Sequence, residues 1–245
     1  NMAILVDFSG NKFTQTSANQ STQSLPEKNC ILGCHARIDN LSELKAKLGL
    51  NDSFTHSITI QALLLLAFEH WNVDMFRHIR GDWWIAVWDA RKQSVILAID
   101  PSSPTTLFYA WTTTGQLAFS ASLTDILNIE GISQELHEAR ILSYLLQWIR
   151  YNDFLQTEYK AIRQIGSATF NIFKPGKVQT ETYWQATQFQ IKQANTSEEY
   201  IEEFLRRYRQ AVVSRLPHTG NAASMLSAGL DSGSVTALAA SVLMK

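Results

Sequence analysis

The residues best equipped for chemistry lie near the end of the chain, in "SMLSAGLDSGSVTALAA", 224–240. An apolar run over 222–227 reads as a strand, and a helical pattern starts near Ser232, so the small residues between them form a strand-to-helix turn. Such a turn suits a phosphate. The first N–H groups of a helix have no partner within it, and the helix dipole puts positive charge at the same end. Ser227 and Ser232 add hydroxyl donors, and Gly229 lets backbone amides approach a ligand with no Cβ in the way. Ala228 and Leu230 complete the loop, and Asp231 offers the hard oxygen that Mg2+ on a pyrophosphate takes as a ligand. A plainer reading makes Asp231 or Ser232 the N-cap of a surface helix.

Other reactive side chains are less well placed. Cys30 and Cys34 fall in "CILGCHARI", a strand pattern that separates their Cα atoms by about 13 Å, beyond the roughly 7 Å a disulfide spans. They read as two buried residues on one face. The six histidines have no metal-ligand spacing with them, and no structural metal is expected. Asp82, Asp89 and Asp100 sit at strand ends and read as turn formers. Trp84 and Trp88 share one face of a strand and Trp83 takes the other, as packing between layers requires. Arg206, Arg207 and Arg209 read as a solvated helix face, with Glu202 and Glu203 one turn earlier.

The elements that position these residues divide the chain in two. Strands are expected over 3–8 and 29–39, with a polar loop over 14–24 between them. Asn40 and Glu43 form a capping-box pattern before "LSELKAKL", and Gly49 supplies the stop. An apolar helix over 58–71 has Ser57 as its N-cap. Hairpins follow over 81–100, over 106–122 with a turn at Thr114-Gly115, and over 168–184 with a turn at Pro175-Gly176. A helix over 134–147 carries Leu136, Ala139, Leu142, Leu145 and Leu146 on one stripe. This pattern implies an α+β domain of antiparallel sheets with helices outside, over 1–190. A Gln/Asn/Thr-rich linker then leads to a helix over 197–216, capped by Thr196 and Glu199 and ended by Pro217. The strand and helix after it open an α/β unit over 191–245 that is expected to continue beyond the chain, since a βαβ unit needs about 30 residues or more.

The loop "LSAGLDSGSV" resembles the S-G-G-x-D-S pyrophosphate loop of the ATP pyrophosphatase superfamily, as in asparagine synthetases. Upstream, "ARIDNLSEL", "LLLAFEHW", "IRGDWWIAVWDARKQSVILAID", "LFYAW", "LAFSASLTDIL" and "TYW" follow the order of that family's class II glutamine amidotransferase domain. The resemblance implies an N-terminal nucleophile hydrolase-like four-layer α/β/β/α sandwich, then the start of an α/β synthetase domain that activates a carboxylate with ATP and Mg2+. It assigns Ser227, Ala228, Gly229, Leu230, Asp231 and Ser232 to ATP pyrophosphate and Asp231 to the metal. One departure stands out: the family's first glycine is Ala228 here. This is costly if the position needs positive φ and nearly silent otherwise.

The resemblance also implies a glutaminase whose nucleophile is an N-terminal cysteine, its own amine acting as base. The chain begins Asn1-Met2-Ala3 instead, and strand cysteines cannot supply both groups. The oxyanion-hole Asn-Gly falls on His35-Ala36, the acidic residue after it on Arg37, and the aspartate for the substrate ammonium on Ile60. The 20 or so residues between the first two expected strands are also too few for the segment that carries the glutamine-gripping arginine. The expectation is a retained fold with lost glutaminase chemistry. The whole then reads as an ATP-dependent amide-forming ligase using ammonia or a substrate amine, with β-lactam synthetases and macrolactam cyclases as a variant and a non-catalytic docking scaffold as the alternative. Its expected partner is a small-molecule or peptide carboxylate, and a homodimer is a candidate assembly. A net charge of −1 gives no general attraction to nucleic acid or anionic membranes. No apolar run nears the roughly 20 residues of a membrane span, and "NMAILVDFSG" lacks a signal-peptide pattern, so the cytoplasm is the default compartment.

Overall fold

The computed structural model describes residues 3–9, 12–15, 23–25, 30–50, 58–102, 104–146, 151–188, 196–217 and 221–244. They form two compact units, 1–186 and 187–245.

The first unit is α+β, with two all-antiparallel sheets. One has the order β2-β1-β8-β7-β9, from Lys12–Gln15, Ala3–Asp7, Leu117–Ser120, Phe108–Trp111 and Ile162–Gln164. The other runs β11-β10-β6-β5-β4-β3, from Lys177–Thr182, Thr169–Lys174, Ser94–Ile99, Gly81–Asp89, Cys30–Ile38 and Gln23–Leu25. Side-chain alternation sorts the apolar residues into three layers. Trp84, Ala86 and Trp88 of β5 lie between the sheets with Ile4, Val6 and Phe119. Trp83, Ile85 and Val87 face the other way, onto α1 (Leu41–Lys47) and α2 (Ile60–Trp71), through Leu44, Leu63, Leu64 and Phe68. Outside the first sheet, Ala110, Ala118 and Ile162 meet Ile126 of α3 (Leu123–Leu127). The result is a four-layer α/β/β/α sandwich, and each large side chain removed from water contributes about 1.5–3 kcal/mol.

Two of the three hairpins turn at a glycine, Gly115 and Gly176, with φ of +80° and +67°, conformations that cost glycine least; the turn between β5 and β6 has none and places Gln93 at φ +45° instead. Cys30 and Cys34 are buried on the helix-facing side. Several local expectations are corrected by tertiary contacts. The polar stretch 14–24 begins and ends in strand, since β2 pairs with β1 and β3 with β4; 16–22 lie outside the described residues. Asn40 precedes α1 but makes no side-chain cap bond. Its amide donates to the His78 carbonyl and accepts from the Arg80 N–H, each at 2.9 Å, joining the helix to the approach to β5. Glu43 likewise turns to Arg80 and Lys47 rather than back to Asn40. Thr59 caps α2 by accepting from the Ala62 N–H, and Ser57 lies outside the described residues. The helix expected over 134–147 is α4 (Glu138–Leu145), because Leu136 is taken into a bridge with Tyr159. None of its residues is buried.

The described residues of the second unit include the helices α5 (Ser197–Arg215) and α6 (Leu230–Leu243). Thr196 caps α5 by accepting from the Glu199 N–H, and Glu203 pairs with both Arg206 and Arg207. The helices meet through Tyr208 and Ser234, whose hydroxyls lie 2.7 Å apart. Residues 222–227 are not a strand: a strand is defined by its pairing, and among the described residues none lies beside them.

Candidate functional site

The turn at 227–232 is built on the start of α6. The helix begins at Leu230, two residues earlier than its pattern suggests, with Gly229 as N-cap and no side-chain cap bond. Asp231 and Ser232 therefore sit in the first turn, and neither is the cap. The leading N–H groups of α6 are left to a ligand or to water. Ser227 and Ser232 converge on this end, their hydroxyl oxygens 3.0 Å apart. The Ser227 N–H donates to Ser232 Oγ at 3.2 Å, and the Ser232 hydroxyl donates to the Gly229 carbonyl. These bonds hold the loop in a tight bend with both hydroxyls at the helix terminus.

The first two of the four residues between them divide the labour unexpectedly. Ala228 has φ +61°, in the left-handed region, whereas Gly229 has φ −85°, which any residue adopts. The glycine is not demanded by internal packing either: a Cβ there would meet only Ser227 Oγ, at an ordinary 3.5 Å. The residue that needs glycine's freedom is the alanine, and the glycine stands where only an outside group would benefit from a missing Cβ. Sequence alone cannot give the sign of φ at Ala228, so this distribution of strain was hidden.

Asp231 is exposed at the same helix end. Among the described residues, no group of three or more His, Cys, Asp or Glu is gathered to hold a metal. Asp231 itself offers a carboxylate oxygen, the kind of hard donor that Mg2+ takes. Uncapped amides, two hydroxyls and an open Gly229 likewise suit the phosphates of ATP. Leu230, the first residue of α6, is 92% exposed.

In the first unit, the positions matched to glutaminase chemistry sit on β4 and α2. His35 and Ala36 lie within the paired run of β4, opposite Trp84 and Trp83 of β5. Arg37 stands opposite Asp82, and its guanidinium reaches Asp39 at 2.9 Å and Asp82 at 3.4 Å. Two internal carboxylates thus share one cation. Ile60 opens α2 and packs on the helix-side core. Neither cysteine is poised for attack: burial pushes the Cys30 thiol up to about 11 and the Cys34 thiol to about 12, so both stay protonated. Asp89 forms its turn as expected, accepting from the Arg91 and Lys92 N–H groups. Asp82 instead belongs to the Arg37 cluster, and the fully buried Asp100 holds the Trp83 N–H and the Ser102 hydroxyl.

A glutamine amidotransferase domain matches residues 14–184. The chain belongs to that family. Among curated proteins, the amidase chyE of Penicillium rubens is 24% identical over 187 residues, covering 74% of this chain and 26% of its own length. Similar solved structures include the glutamine phosphoribosylpyrophosphate amidotransferase of B. subtilis, complexed with ADP and GMP, at 12% identity and a TM-score of 0.45, covering 73% of this chain and 33% of that one. A glutamine aminotransferase class-II domain protein from silicibacter pomeroyi has 10% identity and a TM-score of 0.38, covering 63% of this chain and 67% of its own. The chain thus spans about a quarter of the curated relative and a third of the first of these structures. No helix among the described residues is long and apolar enough to cross a membrane.

Proposed function

We propose that this amidotransferase-type domain no longer hydrolyses glutamine and precedes the ATP-binding part of an amide-forming ligase of the asparagine synthetase type. The observation that carries the reading is the loop: two serine hydroxyls converge on an uncapped helix start beside a glycine that the fold itself does not need. Ser227 and Ser232 donate to phosphate oxygens, the backbone of 228–230 lines the bend, and Asp231 holds Mg2+. ATP bound there would supply an adenylyl group: the carboxylate would attack the α-phosphate with release of pyrophosphate, and an amine would then displace AMP to form the amide.

Loss of glutaminase function is supported by positions on β4 and α2. Arg37 takes the place of an acidic residue and is held by Asp39 and Asp82. Ile60 replaces a carboxylate that would meet an ammonium, and a buried cation without its partner is costly. The two cysteines of the chain are buried, protonated thiols. The amine therefore comes from free ammonia or from the substrate itself, and a substrate amine makes the product a ring, a β-lactam or macrolactam.

ATP–pyrophosphate exchange on the full-length protein, across small-molecule and peptide carboxylates, tests activation. Exchange that depends on one carboxylate and is lost in Asp231→Ala is the expected result. No exchange with any carboxylate favours the scaffold reading, in which the sandwich serves only to dock. Glutamine hydrolysis by the wild-type protein would refute the loss of the glutaminase.

A further inference from the structure

The second sheet ends in β11, Lys177–Thr182, all six residues of which are exposed. The opposite edge, β3, has three residues; in the first sheet the edge strand β2 has four, and β9, at the other edge, is covered by a bridge between Gln156 and Arg163 and by the Gln164 N–H bond to Leu155. β11 is therefore the longest uncovered edge among the described residues. Such an edge presents a row of free N–H and C=O groups that another strand can take.

The register of the hairpin fixes which groups these are. Lys174 faces Lys177 across the two-residue turn, and the pairing continues to Thr169 opposite Thr182. The Tyr183 N–H donates to the Ala168 carbonyl at 3.0 Å, so 168 and 183 exchange ladder bonds. Antiparallel pairs alternate, and so 177, 179 and 181 bond inward to β10. Val178, Thr180 and Thr182 turn their backbone groups outward. Lys177, Gln179 and Glu181 share one face, where the Gln179 amide donates to the Glu181 carboxylate at 2.6 Å.

We propose that this edge takes β11 of a second copy of the chain, antiparallel, about a twofold axis at Gln179. In that register Val178 exchanges two backbone bonds with the partner's Thr180, and the symmetric pair adds two more. Lys177 of each copy lies directly opposite Glu181 of the other, in the pairs without ladder bonds, where side chains approach most closely. Opposite charges thus meet twice. Shifting the axis to Val178 or Thr180 keeps the backbone parity but loses both ion pairs, so charge selects the register. The pairing is isologous and closes on itself, giving a dimer rather than a fibre. The interface is small, so the dimer is expected to be weak and in exchange with the monomer.

Sedimentation equilibrium of the full-length protein, over about 1–200 μM, spans the range expected for a small interface. A reversible monomer–dimer equilibrium is expected. Thr180→Pro removes an outward N–H without touching a bond to β10, and is expected to abolish the dimer while the circular dichroism spectrum is retained. Lys177→Glu sets two pairs of like charges across the axis and is expected to weaken association about tenfold or more, and adding Glu181→Lys in the same chain restores it. A protein that is monomeric throughout overturns the proposal. So does a dimer that survives Thr180→Pro or that fails to respond to the charge reversals, since it must then use another surface.

Discussion

Replacing Ala228 tests the geometry of the phosphate-type loop through a change of sign. An L-residue in the left-handed region carries about 1–2 kcal/mol of strain, and Ala228 is held there at φ +61°. Ala228→Gly removes that strain but gives the unfolded chain more freedom, which costs about 0.4–1 kcal/mol. The net expectation is stabilisation by about 1 kcal/mol, or roughly fivefold in the local opening equilibrium. Ala228→Val does the opposite, because a branched Cβ is worse still at positive φ, and should cost about 1 kcal/mol or more. The effect is local, so native-state hydrogen exchange of the amides at 230–236 reads it directly, with urea unfolding as a second measure. Protection should rise for glycine and fall for valine. If Ala228 instead had negative φ, glycine would destabilise by its entropy alone and valine would be close to neutral. That ordering would refute both the strain argument and the division of roles between Ala228 and Gly229.

Three further outcomes follow from the first unit. Gly81 has φ +142°, and a Cβ there would lie 1.9 Å from the Arg37 carbonyl oxygen, so Gly81→Ala should cost about 3 kcal/mol or more in chemical denaturation, or prevent folding. Asn40→Asp separates capping from bridging. Aspartate caps as well as asparagine, but it cannot donate to the His78 carbonyl, and a loss of about 1–2 kcal/mol is expected where a capping role predicts none. The buried thiols should react with iodoacetamide about 100-fold (Cys30) and 1000-fold (Cys34) more slowly than in the unfolded chain below pH 9, from thiolate population alone. Both folded values lie above the unfolded value of 9.0. The folded chain therefore keeps protons that the unfolded chain releases, and stability is lost as pH rises from 9 towards about 11 and 12. Each thiol contributes about 1.4 kcal/mol per pH unit within its window, which thermal melts across that range would follow, with Cys34→Ser flattening the slope.

How much was legible follows from where each signal resides. The hairpins at Thr114-Gly115 and Pro175-Gly176 were readable because alternation and turn chemistry are local. The layer assignment of Trp83, Trp84 and Trp88 followed from a period of two. Asn40 misled because its partners lie 38 and 40 residues away, and a distant contact outcompeted a nearby cap. β2 and β3 escaped notice because edge strands need little apolar patterning, and α3 because five residues are too few to show a period. The run 222–227 has strand character in its sequence but no neighbour among the described residues to pair with. At the loop, residue types pointed to phosphate, but the backbone sign at Ala228 is a torsion, which composition does not encode.

Gly81 also bears on how such a domain can change over evolutionary time. The close approach of its α-carbon to Arg37 works like a dowel: β5 can meet β4 in one alignment only, and a slip by one residue would exchange the contents of two layers at once. An insertion or deletion in these strands would disturb that alignment, while exchanges in place at His35, Arg37 and Ile60 leave the frame untouched. A sandwich pinned in this way can have its rim chemistry erased by a handful of substitutions and still fold. By the same logic it is a mount on which a new set of rim residues can be written without redesigning what lies beneath.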